Sequence, residues 1–449
     1  MMLFYEISLL KAWYPFDSVL VAANYSFAQV WWVRFLIVEG VWNVAFIACF
    51  MTARLVAAQL GYAFFATVIA VQGLSLAILA SSPIPLDADQ YAYVYYGSLT
   101  ERGVNPYVRY SQPIRLTPNE ARIAIKWKNP PTPDAYGPGW TLANAAWLFP
   151  FRHASVETQV IVLRILASLA TLACSLLLWL ALGANPLRPY IFIAFALNPL
   201  VLNSEGTGAH NDIFLLLFGL AAYVLVQRRY FELSGAALAL SISTKFAYIP
   251  LILPLLAAVQ VLSGRWQRTL LTAIVLAAVL AVTALPFGFQ HSFIDPVFLR
   301  GVQIGKLPAY SYLLWRAVQL AGLRPTPAPF AMLAPIIGIA LGATIALLAL
   351  RGRREPLLEL ALFVGIFIVP PEHFGWYGVI LAPMLLIPSP IAAPLFVGIT
   401  MSCALMQRQI FYAHEYSYLS EFIVAACGCG LALVAVYRDR WRHTAAANR

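Results

Sequence analysis

Hydrophobic positions in this chain come in long continuous runs, broken by short polar turns, without the two-residue alternation of membrane strands. A bilayer core takes about 20 apolar residues per helix. Runs that suit such helices lie near 31–53, 60–82, 158–182, 189–205, 212–227, 233–247, 248–263, 269–287, 330–350, 357–371, 376–388, 390–406 and 422–437. Several are short, and 248–263 is rich in proline. Because the runs do not alternate, a β-barrel is a poor fit.

Composition narrows the class. Of 449 residues, 61% are hydrophobic and 11% charged, against about 25% charged in an ordinary soluble domain. Mean hydropathy is +0.76. A soluble enzyme, a disordered chain and a disulfide scaffold are excluded. Glu6, Lys11 and Asp17 interrupt the N-terminal stretch, so no cleaved signal peptide is expected. Cys49, Cys174, Cys403, Cys427 and Cys429 sit in apolar stretches without metal-site spacing and read as buried packing residues.

The net charge of +10 would suggest nucleic acid in a soluble protein. In a membrane protein its location matters more. Arg228, Arg229, Arg265, Arg268, Arg351, Arg353, Arg354, Arg438, Arg440 and Arg442 fall on one side, which is then cytoplasmic. With thirteen spans, the N-terminus and two long segments, 83–157 and 288–329, lie outside. Most carboxylates also map to that outer side, so carboxylate chemistry is expected there.

The first long segment reads as structured. Residues 87–102 suggest a helix closed by Gly103, with Pro106 beyond. Thr117-Pro118-Asn119-Glu120 has the pattern of a capping box with proline at the first helical position. Behind it, Ile123 and Trp127 share one face and Arg122 and Lys126 another, a short basic amphipathic helix suited to the headgroup layer.

Four constellations carry candidate chemistry. Asp87 and Asp89 begin a helix whose N-terminus favours the ionised carboxylate that a general base needs. Helix capping is the plainer reading. Tyr91, Tyr93, Tyr95 and Tyr96 follow, and tyrosines suit both sugar rings and the membrane interface. Second, Glu205 to Asp212, with His210 and Asn211, packs polar residues between apolar spans, as a site or as a tight solvated turn capped by Asp212. Third, Lys245 follows Ser241, Ser243 and Thr244 near a span end, as a phosphate partner or a snorkelling lysine. Fourth, Pro370-Pro371-Glu372-His373-Phe374-Gly375-Trp376-Tyr377 breaks the helical pattern, and broken backbone at that depth lines a cavity or forms an aromatic turn. Arg34, Glu39 and Arg164 read as snorkelling or paired structural charges. Arg300 and Lys306, from the second long segment, are further cations for a phosphate. No metal-ligand set, nucleophile elbow or glycine-rich nucleotide loop is present in the sequence, so no cofactor is expected. The alternative for Asp87 with Asp89 is a weak divalent-metal pair.

Together these motifs resemble a family. Asp89-Gln90-Tyr91-Ala92-Tyr93, then Gly97 and Arg102-Gly103-Val104-Asn105-Pro106-Tyr107, is similar to the first outer loop of polyprenyl-phosphate-mannose-dependent mannosyltransferases, most of all the actinobacterial α-1,6-mannosyltransferase group. Tyr136-Gly137-Pro138, Asn198-Pro199-Leu200, Gly208-Ala209-His210-Asn211-Asp212, Lys245, Trp376-Tyr377 and Pro383 continue the resemblance in order from about 60 to about 390. It implies the GT-C type for what the runs and loop motifs already read as an all-α polytopic integral membrane protein with about 11–13 transmembrane helices and a structured first outer loop. It also implies a lipid-phosphate sugar donor and an outer-loop Asp base. The first span is an addition to the pattern, as is Asp87.

The expected organisation is an N-terminal segment and extra helix over 1–59, a catalytic membrane core over 60–390, and C-terminal helices with a basic cytoplasmic tail over 391–449. The expected location is the plasma (inner) membrane, with the site on the outer side. The reaction read from this is hexose transfer, mannose by resemblance, from polyprenyl phosphate to a glycan or lipid acceptor, with inversion. Asp89, Asp87, Tyr91, Tyr93, Tyr136, Glu205, His210, Asn211, Asp212, Lys245, Arg300, Lys306, Glu372, His373, Trp376 and Tyr377 are its candidate residues. A multi-pass solute transporter, or another lipid-using transferase such as a polysaccharide ligase, is the rival. A transporter would place its ionisable groups near the midplane within repeats. Here they sit at span ends.

Overall fold

A computed structural model describes residues 43–55, 61–81, 89–108, 114–127, 134–288, 318–323, 326, 328–352, 375–386 and 392–401. The protein is an all-α polytopic membrane protein. Four helices among the described residues are long and apolar enough to cross a bilayer, and a bent pair makes a fifth. The expected spans at 357–371 and 422–437 lie outside the described residues.

In chain order, α1 (Asn43–Leu55) is short and α2 (Tyr62–Ala80) is the first full-length span. The stretch between α2 and the next long span holds three helices, α3 (Asp89–Glu101), α4 (Pro118–Trp127) and α5 (Pro138–Leu148). Then come α6 (Val156–Leu182), α7 (Arg188–Ala196), α8 (Pro199–Asn203), a π-turn over Ser204–Gly208, and α9 (Asp212–Gln227). α10 (Phe231–Thr244), a 3₁₀ segment Phe246–Leu251, α11 (Ile252–Ser263), α12 (Trp266–Ala284) and α13 (Ala328–Leu350) follow. A 3₁₀ segment Gly375–Leu386 and α14 (Ala392–Met401) complete the described chain.

The helices between α2 and α6 have clear physical causes. α3 ends in a Schellman motif. Gly103 takes φ +72°, its N–H donates to the Thr100 carbonyl, and the Val104 N–H donates to that of Leu99. Only glycine adopts that backbone without a Cβ penalty. The capping box forms as expected, with the Thr117 N–H donating to Glu120 Oε2 at 2.7 Å and the Glu120 N–H to Thr117 Oγ1 at 3.3 Å. Glu120 is fully buried and also accepts from Ser98 Oγ and Arg102 Nη2, both at 2.8 Å, which ties α4 to α3. Ile123 is buried and Arg122 exposed, as an amphipathic helix requires. The Lys126 and Trp127 side chains lie outside the described set. α5 is the helix the sequence reading missed. Its Pro138 at the first turn follows Tyr136-Gly137, so that motif is a helix entrance.

The membrane core packs α9 against α6, α10 and the 375–386 segment, with α10 on α12 and α11 on α13. Arg164, 3% exposed in α6, donates to Gln90 Oε1 at 3.0 Å and is a structural charge. Arg34 and Glu39 lie outside the described residues. Two expectations need correction. The span expected at 189–205 is interrupted. Pro199 lacks an N–H and ends the preceding helix, and Asn198 Oδ1 caps the next by accepting from the Leu200 N–H. Cys49 is exposed on α1, whereas Cys174 is buried and its thiol donates to the Ile213 carbonyl.

Glu120→Ala should lower stability by about 3 kcal/mol, since it strands the Arg102 guanidinium and two other donors. Arg122→Ala breaks an exposed pair with Glu157 and should cost less than about 1 kcal/mol. Thermal midpoints of the purified variants test both.

Candidate active site

Asp89 opens α3 and is 31% exposed. Its Oδ2 stands 3.8 Å from Nδ1 of His210, which is fully buried. His210 comes from the break between α8 and α9, where two helical pieces meet at a bend of 119°. The chain turns there through Ala209, at φ 51° and ψ 42°, a left-handed backbone that costs a non-glycine residue roughly 1 kcal/mol or more. The His210 ring lies flat on Trp376, with centroids 4.3 Å apart and planes 13° apart. The stack fixes the face that His210 turns to Asp89.

A second group adjoins through Tyr377. α9 starts at Asp212, whose carboxylate accepts from Lys245 Nζ at 2.7 Å. Nζ also lies 3.8 Å from the centroid of the Tyr377 ring. Asp212 is 1% exposed and Lys245 20%. Lys245 stands just past α10, where the backbone has become extended. Its charge is directed to the carboxylate and the ring, which sets aside simple snorkelling. Asn211 is the cap position of α9 without a side-chain cap bond, so the expected cap at Asp212 is replaced by an ion pair. Every residue from Ser204 to Asp212 is buried, and the solvated-turn reading falls with it. Polar groups at that depth need internal partners.

Those partners come from three elements. Tyr93 Oη accepts the Asn211 N–H at 3.3 Å, and Asn211 Nδ2 donates to the Thr244 carbonyl at 3.4 Å. The Gly137 N–H donates to the same carbonyl at 3.1 Å. Tyr93 is 1% exposed and meets Tyr136 and Trp140 edge-on, so it forms the wall behind the site. Tyr91 and Tyr136 are partly exposed. Glu205 is buried in the π-turn, which packs on α2 and α6.

The structure therefore gathers Asp89, His210 and Trp376, with Asp212, Lys245 and Tyr377 beside them and Tyr93, Tyr136 and Asn211 behind. Asp87, Glu372, His373, Arg300 and Lys306 lie outside the described residues. So does one half of the alternative Asp87/Asp89 metal pair. Among the described residues, no group of three metal-ligating side chains forms.

Sequence reading missed what holds Tyr136. Asp134, 1% exposed, accepts from Thr141 Oγ1 at 2.6 Å and from the Tyr136 N–H at 2.9 Å. Tyr107 Oη donates to the Tyr136 carbonyl at 3.0 Å and lies 2.8 Å from Thr141 Oγ1. Burial, reinforced by the Asp134 charge, pushes the Tyr107 phenol well above its ordinary value, so it remains a donor. The available signal was the Asp134-x-Tyr136 spacing, which lets a carboxylate accept an N–H two residues on.

A partly exposed carboxylate on α3 thus faces a buried histidine from a broken helix, among aromatic rings and apolar spans. Residues 28–262, more than half of the chain, match the family model described as alpha-(1->6)-mannopyranosyltransferase, N-terminal domain, of the MptA/B family, and the chain belongs to that family. It is a membrane glycosyltransferase of mannose-transferring type, which sets the transporter reading aside. No curated protein and no solved structure matches it.

Gly137 supplies a local test of the site. A Cβ there would overlap the Ser243 carbonyl oxygen, beside the residues that carry Lys245. Gly137→Ala should push the Tyr136 turn off Thr244 and cost about 10²-fold in turnover, the scale of an ångström-sized misplacement. Gly61, which has open space around it, is the control. Turnover of purified Gly137→Ala and Gly61→Ala proteins, compared with their melting midpoints, decides.

Proposed function

We propose that this protein transfers mannose from a polyprenyl-phosphate donor to a glycan or lipid acceptor at the outer face of the membrane, with inversion at the sugar. Asp89 is the general base. It takes the proton of the acceptor hydroxyl as that oxygen bonds to the anomeric carbon. The bond from that carbon to the phosphate oxygen breaks, and polyprenyl phosphate leaves with its electron pair. The observation that carries this reading is a partly exposed carboxylate in the first turn of α3, facing a buried His210 fixed on Trp376. A base must reach substrate, and the helix N-terminus keeps it ionised.

Lys245, held against Asp212 and Tyr377, is the cation for the departing phosphate. Arg300 and Lys306 are the further candidates. Tyr91, Tyr136 and Tyr377 offer ring faces to the sugar. The resemblance to GT-C enzymes supports the lipid-carried donor, and so does topology. Nucleotide sugars are a cytoplasmic supply, while this site sits opposite the arginine-rich ends of α9 to α12, at Arg228, Arg229, Arg265 and Arg268. The reaction as written needs no metal.

The decisive experiment supplies purified protein with polyprenyl-phosphate mannose and acceptor, and follows release of polyprenyl phosphate. Asp89→Asn should lose at least ~10²-fold in turnover with donor binding intact, and Asp87→Asn much less. Near-normal turnover of Asp89→Asn removes Asp89 as the base. Activity lost to chelators and restored by Mn²⁺ would reassign Asp87 and Asp89 as metal ligands. Lys245→Ala should lose about 10²-fold. Because it strands Asp212, the Asp212→Asn/Lys245→Ala double variant separates lost turnover from lost folding. Orientation is checked by impermeant thiol labelling of intact cells, expected at Ser111→Cys and not at Thr444→Cys. The reverse pattern defeats the outer-face reading.

A further inference from the structure

The end of the core opposite the active site carries a patch of exposed cations. α10 runs from Phe231 at that end to Thr244 beside Lys245, about 20 Å along its axis. α12 lies on it and points the same way. Glu232 of α10 accepts from Arg268 Nη1 at 2.5 Å, and one turn on, Gly235 abuts the Thr272 carbonyl. The Glu232–Arg268 pair therefore ties the α9–α10 turn, Arg228 to Tyr230, to the α11–α12 turn, Gly264 to Trp266.

Both turns leave their helix through a left-handed residue, Gly264 in one and Arg229 in the other, each at φ +63°. Glycine takes that backbone without a Cβ penalty, and arginine does not. The Arg229 turn still closes as a Schellman motif, with the Arg229 N–H donating to the Val226 carbonyl and the Tyr230 N–H to that of Leu225. A position that suits glycine thus bears a cation. Arg228, Arg229 and Arg265 are exposed, and among the described residues their side chains pair with no carboxylate. Tyr230, 58% exposed, and Trp266, 63% exposed, stand next to them in the chain.

We propose that Arg228, Arg229 and Arg265, with Tyr230 and Trp266, form a surface that holds anionic phospholipid headgroups of the cytoplasmic leaflet. Leu233 on α10 and Leu270 on α12 are exposed about one turn further in, so the hydrocarbon begins just past the arginines. Exposed tyrosine and tryptophan at such an edge sit at headgroup level, and the positive-inside rule makes this side cytoplasmic. Glu232 is matched by Arg268, so the charge left over in the patch is positive. Clustered arginines beside transmembrane helices are drawn to an anionic leaflet, each adding to the attraction. A zwitterionic leaflet offers the same hydrocarbon without net charge, so headgroup charge is what the patch reads. The inference needs neither the donor nor the base assigned above.

The test melts purified full-length protein in nanodiscs of phosphatidylcholine, with and without phosphatidylglycerol. Phosphatidylglycerol should raise the midpoint by about 3 °C. The Arg228→Gln/Arg229→Gln/Arg265→Gln triple variant should lose most of that rise. Arg229→Gly, which relieves the left-handed backbone, should melt no lower than the parent in phosphatidylcholine alone and yet gain less from phosphatidylglycerol. That variant carries the test by itself if the triple variant does not fold. A full rise in the folded variants overturns the surface. An equal rise from inorganic phosphate in phosphatidylcholine discs overturns the lipid assignment.

Discussion

A helix that crosses a bilayer can leave no backbone or side-chain polar group without an internal partner, and this fold is organised around a span that breaks that continuity. Between Ala196 and Asp212 the chain stops one helix, caps a short one, loosens into a π-turn and restarts at a bend of 119°. Several of the groups there are met from other parts of the sequence. Asn198 Nδ2 donates to Thr400 Oγ1 at 2.8 Å, the Asn211 N–H reaches Tyr93, and the Asn211 amide reaches Thr244. The segment between α2 and α6, the α10 end and α14 all depend on that one interruption.

The same break concentrates charge. Asp212 sits where the positive end of the α9 dipole favours a carboxylate, and Lys245 completes it from the end of α10. Removing one member of such a pair costs about 3–5 kcal/mol, because a buried charge is left alone. Lys245 thus has its position set by folding. The arrangement trades flexibility of the lysine for a cation fixed over the Tyr377 ring, whose neighbour Trp376 stacks on His210.

Local rules made much of this legible from sequence. The capping box at Thr117 and the glycine stop at Gly103 need only a few neighbouring residues, and both formed as read. Long apolar runs located α2, α6, α9 and α12 for the same reason. What failed was non-local. The 189–205 run looked continuous because hydropathy does not register that Pro199 removes a donor and that Asn198 finds Thr400 two hundred positions away. α5 was missed because Tyr136-Gly137-Pro138 was read only as an element of the family resemblance, although proline also starts helices. Lys245 and Asp212 were picked as separate candidates. Their pairing needed the contact of α9 with α10, which no spacing in the chain encodes.

This division explains why Asp89 and Asp134 differ in kind, although both are carboxylates between α2 and α6. Asp134 is 1% exposed, and its oxygens accept from Thr141 and from the Tyr136 N–H. A carboxylate so engaged is occupied with holding the Tyr136-Gly137 turn on Thr244, and a proton placed on it would disrupt those bonds. Asp89 keeps nearly a third of its side chain open at a helix start, with its Oδ2 3.8 Å from His210, too long for a hydrogen bond. The two acids therefore differ in setting. One fixes the Tyr136-Gly137 turn, and the other keeps the exposure that the proposed base would need.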